Sequence, residues 1–332
     1  MRIAVAGGGS WATAIIKILT DNYAANGAEL LWWMRNSGNI EYIRKHRHNP
    51  HYISSVTIPT EQIQLSGDLA EVIKAADIVI TAIPSAFVYD AFMSLPKGAL
   101  DGKIMVSAVK GVVPQTHQVL NDFFRQYFDV EEKNNVVIAG PCHAEEVALE
   151  KLSYLTIASE SAENGRLLAG MLATRYIKTT VSQDITGVEY ASVLKNIYAI
   201  GAGICHGLGY GDNFLAVLIS NAMEEMKNFL AHIGNQDRDI EQSAYLGDLL
   251  VTAYSQFSRN RTFGTMIGKG YSVKSAQLEM NMVAEGYYAT RSMFEICREL
   301  KYEMPMLAAL YRILYENAPA GPEIEKLAVN FI

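Results

Sequence analysis

The chain has 332 residues, of which 50% are hydrophobic and 19% are charged, and its formal net charge is −7 at pH 7. This length exceeds one ordinary hydrophobic core, so we expect two domains, and the hydrophobic content excludes a disordered protein. The acidic balance argues against nucleic-acid and membrane-surface partners, because the basic cluster Arg44-Lys45-His46-Arg47 is short.

Cysteine usage and the apolar segments indicate where the protein works. Its three cysteines are widely spaced: Cys142, Cys205 and Cys297. No disulfide framework or zinc site follows from that spacing, so we expect a reducing compartment and no metal. We expect no signal peptide, since the chain enters an apolar run at Ile3. The apolar stretch Gly187–Gly203 contains Glu189 and Lys195, which argues against a membrane span. These features predict a cytoplasmic protein.

Short apolar runs alternate with helical patterns over the first half of the chain. The strand candidates are Ile3–Ala6, Leu30–Met34, Ile78–Ala82, Ile104–Ala108 and Val136–Ala139. The helical candidates between them are Ala12–Leu19, Leu69–Ala75, Ala86–Met93 and Thr116–Gln126. This alternation predicts a parallel sheet with helices on both faces. Two later runs, Tyr154–Ala158 and Tyr176–Thr180, flank a helix near Asn164–Ala173 and would extend the sheet.

Helical periodicity replaces the strand pattern after about residue 183. The predicted helices are Val188–Ile204, Asn213–His232, Ala244–Phe257, Tyr288–Glu299 and Leu307–Glu316. This change from alternating strands and helices to helices alone predicts a domain boundary at Ser182–Thr186. We therefore predict an α/β Rossmann-type doubly wound domain over residues 1–183. An all-α domain that binds substrate would follow over residues 184–332.

A glycine-rich turn directly follows the first predicted strand and opens the first predicted helix. Its sequence, Gly7-Gly8-Gly9-Ser10-Trp11-Ala12, matches the dinucleotide fingerprint G-x-G-x-x-G/A in the required context. Gly7 permits the tight turn, Gly9 lets the backbone approach a pyrophosphate, and Ala12 allows close packing of helix and strand. The N-terminus of the helix then receives the phosphates. A purely structural turn is the alternative.

Two further positions belong to the predicted cofactor site. The second predicted strand leads to Arg35, where the fingerprint usually has an acidic residue for the ribose hydroxyl. An arginine there suits the 2′-phosphate of NADP or stacks on adenine, whereas NAD is not excluded and a solvated arginine is the alternative. Pro84 follows another predicted strand and is expected near the same crevice.

A lysine in an almost wholly apolar helical segment is the candidate acid–base group. Burial disfavours the ammonium form of Lys195 and can bring the amine toward neutral pH, where it exchanges a proton. A second cation at Lys110 would depress that pKa further, and Asp248 could orient the amine or balance its charge. The alternative is a structural lysine that pairs with Glu189 or extends its ammonium to solvent.

Polar residues near position 260 are candidates for binding a substrate phosphate. Ser258-Arg259-Asn260-Arg261 offers a hydroxyl, an amide and guanidinium groups, whose planar fork suits phosphate oxygens. Alone, such a cluster is more often a solvated turn. Asn196 either contacts the substrate or is a satisfied core amide. Lone histidines such as His206 are expected to be structural.

Several motifs together resemble the bacterial NAD(P)-dependent glycerol-3-phosphate dehydrogenase family. The resemblance spans essentially the whole chain in the family's order: Gly7-Gly8-Gly9-Ser10-Trp11-Ala12-Thr13-Ala14, Ser107-Ala108-Val109-Lys110-Gly111, Gly140-Pro141-Cys142-His143-Ala144-Glu145-Glu146, Gly187-Val188-Glu189, Leu194-Lys195-Asn196, Gly207-Leu208-Gly209-Tyr210-Gly211-Asp212-Asn213, Leu246-Gly247-Asp248-Leu249, Ser258-Arg259-Asn260-Arg261-Thr262-Phe263-Gly264, Val283-Ala284-Glu285-Gly286 and Glu303-Met304-Pro305.

The resemblance implies interconversion of dihydroxyacetone phosphate and sn-glycerol 3-phosphate, with Lys195 as the proton acceptor. The implied substrate contacts are Lys110, Asp248, Ser258, Arg259 and Asn260, and we also expect Gly140 and Asn196 to contact the substrate. The expected cofactor contacts are Gly7, Gly9, Ser10, Trp11, Ala12, Arg35, Pro84, Lys110, Ala144, Arg259, Val283 and Glu285. The resemblance also implies a homodimer and a place in phospholipid precursor synthesis.

The chain departs from the family where Cys142 and His143 replace the usual serine and phenylalanine, so a side-chain contact at position 142 is in doubt. Two other functions stay open. A related lysine-dependent enzyme could act on a hydroxy acid, or a sensor could have kept the dinucleotide site and lost turnover. Neither NAD against NADP nor the physiological direction follows from the sequence.

Overall fold

The computed structural model describes residues 1–22, 27–234, 237–280 and 284–331. The described chain divides into two compact units. The first comprises residues 1–109 and 120–186, and the second comprises residues 110–119 together with residues 187–332. The sequence analysis assigned the ten-residue segment 110–119 to the first domain, whereas in the structure it groups with the helical unit.

The first unit is built on an eight-stranded sheet with the order β3-β2-β1-β4-β5-β6-β7-β8. The strands are β1 (Arg2–Ala6), β2 (Glu29–Trp33), β3 (Ile63–Ser66), β4 (Ile78–Thr81), β5 (Ile104–Ser107), β6 (Asn135–Ala139), β7 (Ser153–Ser159) and β8 (Ile177–Ser182). All neighbouring pairs are parallel except β6 and β7. The first six strands have the doubly wound order, which reverses between β1 and β4 and creates a crevice there.

Seven helices accompany this sheet in the described residues: α1 (Ser10–Asp21), α2 (Ser37–His46), α3 (Leu69–Ala75), α4 (Val88–Met93), α5 (Leu120–Phe128), α6 (Ala144–Ala148) and α7 (Ala162–Leu172). Its predicted α/β class is confirmed. Short 3₁₀ turns lie at Thr60–Gln62, Ser85–Phe87 and Glu132–Asn134. The buried strands β1 and β4 and the inner face of α1 form much of the core.

Three named elements of this unit are absent from the predicted elements: β3, α2 and the five-residue helix α6. The edge strand β3 alternates buried and exposed residues, so it lacks the continuous apolar run that marked the other strands. Helix α2 buries only Ile40 and Ile43 and is capped by Asn36, whose side chain accepts from the backbone N–H of Gly38 at 2.9 Å. The basic cluster that begins at Arg44 ends this helix, where cations stabilise the helix dipole.

The predicted helix Thr116–Gln126 is wrong in its first turn. Val113 and Gln118 form a β-bridge, and His117 has a φ of 53° in the turn between them. A left-handed residue cannot continue a right-handed helix, so α5 begins at Leu120. The β-bridge lies wholly within the segment 110–119, and it closes this segment into a compact turn.

Apart from the segment 110–119 and the connecting loops, the described residues of the second unit are helical. Its helices are α8 (Ile185–Gly207), α9 (Asp212–Ile233), α10 (Asp248–Tyr254), α11 (Arg259–Gly268), α12 (Val273–Glu279), α13 (Glu285–Leu300), α14 (Pro305–Tyr315) and α15 (Ala320–Ala328). The predicted helix Ala244–Phe257 is instead a π-helical turn, Ser243–Gly247, followed by α10. In the described part of the chain, no helix is long and apolar enough to span a bilayer.

Helix α8 is the centre of this unit. Every residue from Gly187 to Cys205 is buried except Tyr190, which confirms the prediction of a helix packed on nearly every side. Glycines spaced four residues apart allow α11 to lie directly on its backbone. A Cβ atom on Gly203 would overlap the carbonyl oxygen of Arg261, and one on Gly264 would overlap that of Ile200. Neither helix could keep this separation with alanine at those positions.

We expect Gly203→Ala to lower the free energy of unfolding by about 1–3 kcal/mol, because the added methyl group must push α11 away. Gly321→Ala is the matched control, since a Cβ there meets nothing within 4 Å and Gly321 also lies in a helix. Urea unfolding followed by circular dichroism measures both. A Gly203→Ala variant as stable as the control would contradict close backbone contact between the two helices.

Candidate active site

The glycine-rich turn has a backbone shape that requires its first glycine. Gly7 has a φ of 140°, and a Cβ there would overlap the carbonyl oxygen of Ala82 beyond β4. Its N–H donates to the carbonyl oxygen of Trp33 at 3.1 Å. The turn therefore lies at the carboxyl ends of β1, β2 and β4, at the point where the strand order reverses. This is where doubly wound folds bind dinucleotides.

Gly9 is the N-cap of α1, and it leaves open the space that a pyrophosphate would need. It has an extended backbone, with φ −87° and ψ −174°, and offers no side chain to cap the helix. A Cβ at this position would meet nothing within 4 Å. An uncapped helix N-terminus attracts anions through its N–H groups and its dipole. The turn therefore fits a dinucleotide, with Ser10, Trp11 and Ala12 forming the first turn of the helix.

Asn49 stabilises this turn, and the sequence analysis missed it. Its side chain is fully buried and donates to the carbonyl oxygen of Gly8 at 3.1 Å and to Thr13 Oγ1 at 3.0 Å. On β2, Trp32 Nε1 donates to the carbonyl oxygen of Gly7 at 2.7 Å. Both residues are fully buried and hydrogen-bond to the backbone of the glycine turn. The Asn49-Pro50 pair is a turn signal in the sequence, but nothing there links it to a loop about 40 residues earlier.

Arg35 lies two residues beyond the end of β2, and its guanidinium stacks on the ring of Phe87 at 5.3 Å. Phe87 ends the short turn that follows the exposed Pro84, so the structure brings these two predicted positions to one part of the first unit. Both Arg35 and Phe87 are exposed. A stacked guanidinium keeps its outer edge and face for a further ligand.

The loop after β6 combines a strained glycine with a buried thiol. Gly140 has a φ of 113°, and a Cβ there would lie 2.8 Å from the carbonyl oxygen of Tyr154. Cys142 is buried and packs in the hydrophobic core of the first unit. Ala144 is buried at the start of α6. The exchange of serine for cysteine thus fits an apolar environment.

Lys195 and Asp248 form a buried ion pair in the second unit. Lys195 Nζ contacts Asp248 Oδ2, and both side chains are 2% exposed. Asp248 follows the π-helical turn directly and is the first residue of α10. Such turns change the helical register and are frequent at functional sites. The predicted partnership with Asp248 is confirmed, and Lys195 does not extend to solvent.

The environment lowers the pKa of Lys195 to about 8. Burial is the largest cause, because it disfavours the charged amine. The Asp248 carboxylate opposes it by favouring the ammonium, and repulsion from the Lys110 ammonium lowers the pKa further. These directions are the ones that the sequence predicts. A lysine with this pKa can both donate and accept a proton near neutral pH.

Three hydrogen bonds connect four segments of this unit in a continuous line, which we call the amide relay. The backbone N–H of Gly286 donates to Asn260 Oδ1 at 2.9 Å, and Asn260 Nδ2 donates to Asn196 Oδ1 at 2.8 Å. Asn196 Nδ2 then donates to the carbonyl oxygen of Lys110 at 2.8 Å. The relay thus links α13, α11, α8 and the segment 110–119. The sequence analysis missed these contacts.

The remaining predicted residues occupy helix starts. Ser258 caps α11, accepting from the N–H of Arg261 at 3.3 Å, and half-buried Arg259 is the first residue of that helix. Glu285 is the first residue of α13. Val283, a predicted cofactor contact, lies outside the described residues. Among the described residues no cluster of three or more His, Cys, Asp or Glu side chains could hold a metal.

The structure thus groups the predicted residues into two sets. The first unit contains Gly7, Gly9, Ser10, Trp11, Ala12, Arg35, Pro84, Gly140 and Ala144. The second unit contains Lys110, Lys195, Asn196, Asp248, Ser258, Arg259, Asn260 and Glu285. A turn with the dinucleotide fingerprint, together with a buried lysine whose pKa is lowered to about 8, fits one class: a nicotinamide-dependent oxidoreductase.

Comparisons with known proteins identify the family within this class. Residues 2–165 match the N-terminal part, and residues 184–325 the C-terminal part, of NAD-dependent glycerol-3-phosphate dehydrogenase. The chain belongs to this family. It is 34% identical over 325 residues to glycerol-3-phosphate dehydrogenase [NAD(P)+] of Chlorobium phaeobacteroides (strain BS1), covering 98% of this chain and 96% of that one.

Other relatives agree. Glycerol-3-phosphate dehydrogenase [NAD(P)+] of Streptococcus sanguinis (strain SK36) is 33% identical over 331 residues, covering 99% of this chain and 96% of that one. The crystal structure of glycerol-3-phosphate dehydrogenase from Coxiella burnetii aligns with a TM-score of 0.90 at 26% identity and covers 98% of each chain. The predicted family resemblance is therefore confirmed.

The open space at Gly9 gives a direct test of the cofactor turn. We expect Gly9→Ala to fold normally but to bind NADH and NADPH at least about tenfold more weakly, because the methyl group occupies the approach to the pyrophosphate. Gly211→Ala is a matched control, since Gly211 is also a helix N-cap with extended backbone and open space around it. Titration calorimetry measures both affinities. Unchanged binding by Gly9→Ala would place the pyrophosphate elsewhere.

Proposed function

We propose that this protein interconverts dihydroxyacetone phosphate and sn-glycerol 3-phosphate, with Lys195 as the group that moves the hydroxyl proton. The observation that carries this proposal is the buried pair of Lys195 and Asp248, in which the pKa of the amine is about 8. The family of the chain supports the same reaction. A lysine of this kind suits the oxidation of an alcohol and the reduction of a carbonyl equally.

The residues of the second unit have distinct tasks in this proposal. In the reduction, Lys195 Nζ donates a proton to the oxygen on C2 of dihydroxyacetone phosphate, and in the oxidation it accepts that proton from the hydroxyl group. Asp248 keeps the amine in place and balances its charge when protonated. The ammonium of Lys110 stabilises negative charge that develops on the same oxygen. The nicotinamide, when bound, supplies or accepts the hydride.

The phosphate of the substrate would bind at the start of α11. Arg259, at the first position of the helix, can offer a guanidinium fork to phosphate oxygens, and the helix dipole favours an anion there. Ser258 and Asn260 are buried beside it. We retain all three as substrate contacts. Gly140 is retained as a substrate contact, and Ala144, Arg259 and Glu285 as nucleotide contacts, on the resemblance to the family.

The cofactor, the assembly and the compartment form the finer part of the proposal. Arg35 accepts either the adenine face or a 2′-phosphate, so we propose that the protein uses both NADH and NADPH. The resemblance to the family supports a homodimer and a role in supplying the phospholipid precursor. Burial raises the pKa values of Cys205 and Cys297 to about 12, which keeps these thiols unreactive and fits a reducing cytoplasm.

The assay that tests the proposed reaction follows nicotinamide oxidation at 340 nm with dihydroxyacetone phosphate, using NADH and NADPH in parallel. We expect Lys195→Met to lower kcat by at least about 10³-fold, because the general acid is lost, while cofactor affinity stays unchanged. Lys227→Met is the matched control, since this lysine lies on the exposed face of α9. Wild-type turnover by Lys195→Met would remove this lysine from the mechanism.

The same assay separates the two alternatives. Turnover of a hydroxy acid without any turnover of dihydroxyacetone phosphate would identify a related hydroxy-acid dehydrogenase. Nicotinamide binding without turnover of either substrate would identify a sensor. The pairing of Lys195 with Asp248 beside Lys110 argues against the sensor, because a buried ionic cluster adds little to stability and its retention therefore points to a chemical use.

The pKa of Lys195 predicts opposite pH dependences for the two directions. Oxidation requires the neutral amine, so kcat/KM for glycerol 3-phosphate should rise with pH through about 8. Reduction requires the ammonium, so kcat/KM for dihydroxyacetone phosphate should fall through the same pH. Initial rates should be measured between pH 7 and 10. This range lies above the second pKa of the substrate phosphate, about 6, so the profile reports the ionisation of enzyme groups. Profiles that change in the same sense in both directions would contradict the assignment.

A further inference from the structure

The orientations of both amides in the relay are fixed by backbone partners. The carbonyl oxygen of Lys110 can only accept, so Asn196 must present its Nδ2 there. The N–H of Gly286 can only donate, so Asn260 must present its Oδ1 to it. Asn260 then has its Nδ2 for Asn196 Oδ1, and all three hydrogen bonds run in one direction. Such a chain of donors and acceptors polarises each member and resists distortion.

Both N–H groups of the Asn196 side chain donate hydrogen bonds within the protein. One amide hydrogen bonds the carbonyl oxygen of Lys110, and the other bonds that of Ser192 at 3.3 Å. A carboxamide has two donor hydrogens, so no N–H of Asn196 is left to bind a substrate oxygen. Its side chain is also buried, with 5% exposure of the residue. The geometry therefore favours a role inside the protein over the substrate contact that the sequence suggested.

The place of Asn196 on α8 relates it to the chemistry. Consecutive residues on a helix point about 100° apart, so Lys195 and Asn196 present adjacent faces. The positive charge of the Lys110 side chain lowers the pKa of Lys195, whereas Asn196 hydrogen-bonds to the main-chain carbonyl oxygen of Lys110. Lys110 is thus bound through its carbonyl oxygen by Asn196. Its ammonium acts on Lys195, the neighbouring residue of α8.

We propose that Asn196 is a positioning residue that fixes the backbone of Lys110, and thereby holds the Lys110 ammonium beside Lys195. The inference rests on the proposed function and adds a residue to its proton-transfer machinery. Asn260 and Gly286 extend the support, since Gly286 lies against the backbone of Asn196, where a Cβ would overlap its carbonyl oxygen. The start of α13 therefore braces the relay at its far end.

The charged groups that act on Lys195 predict how loosening the relay changes proton transfer. Asp248, on α10, favours the ammonium, and Lys110 disfavours it. Asn196→Leu keeps the size of the side chain and adds no charge, but removes both hydrogen bonds to the carbonyl oxygens. We expect the Lys110 ammonium to move away, so that the midpoint of the kcat/KM profile for glycerol 3-phosphate oxidation rises by about 0.5–1 pH unit.

Two comparisons distinguish positioning from a general loss of structure. Asn221→Leu is the matched control, since Asn221 also donates to a carbonyl oxygen four residues earlier, on the exposed side of α9, and its midpoint should equal that of the wild type. In a Lys110→Met background, Asn196→Leu should cause no further shift. An unchanged midpoint in Asn196→Leu, or a shift of equal size without the Lys110 charge, would overturn the proposal.

Two further arms keep the test decisive. If Asn196→Leu does not fold, Asn196→Gln replaces it, because its longer side chain misplaces the amide, and an unchanged midpoint there again overturns the proposal. If the wild type does not turn over glycerol 3-phosphate, the proposed function fails by itself. The titration of the Lys195 side chain, followed by ¹³C NMR of labelled lysine, then gives the same midpoints without turnover and decides the role of Asn196 separately.

Discussion

The second unit depends on one constraint: an ammonium group removed from water must be compensated where it lies. Lys195 and Asp248 are each 2% exposed, so neither charge could persist in this interior without the other. Removing one member of such a buried pair costs about 3–5 kcal/mol, whereas the complete pair is near neutral for stability. The complete pair thus contributes little to the stability of the fold. Burial outweighs the attraction of the Asp248 carboxylate and lowers the pKa of Lys195 to about 8.

Close helix packing meets this constraint. The glycines of α8 and α11 bring their backbones into contact, and Gly286 does the same where α13 meets Asn196. Because the helices approach this closely, short asparagine side chains can join three helices and the segment 110–119 in a single relay. The glycines thus allow the helix backbones to approach closely. They set the separation at which the amide groups, and with them Lys110, are placed.

Local features of the sequence predict the parts that depend on neighbouring residues. The turn from Gly7 to Ala12 has a fixed spacing between a strand and a helix, and Lys195 stands out because its helix is mostly apolar. Parts that depend on distant residues could not be predicted in this way. Asn49 supports a loop about 40 residues away, and Asn260 meets Asn196 across 64 residues. The strand β3 was not predicted, because its alternation of buried and exposed residues covers only four residues.

We infer that Lys195 exchanges its proton near neutral pH because its amine is buried. The most direct measurement is the pKa of its side chain in the wild-type protein, by ¹³C NMR of lysine labelled at Cε, with Lys195→Met to assign the resonance. We expect a midpoint near 8. A midpoint at or above the ordinary lysine value of about 10.4 would contradict it, since the amine would then stay charged wherever the enzyme works.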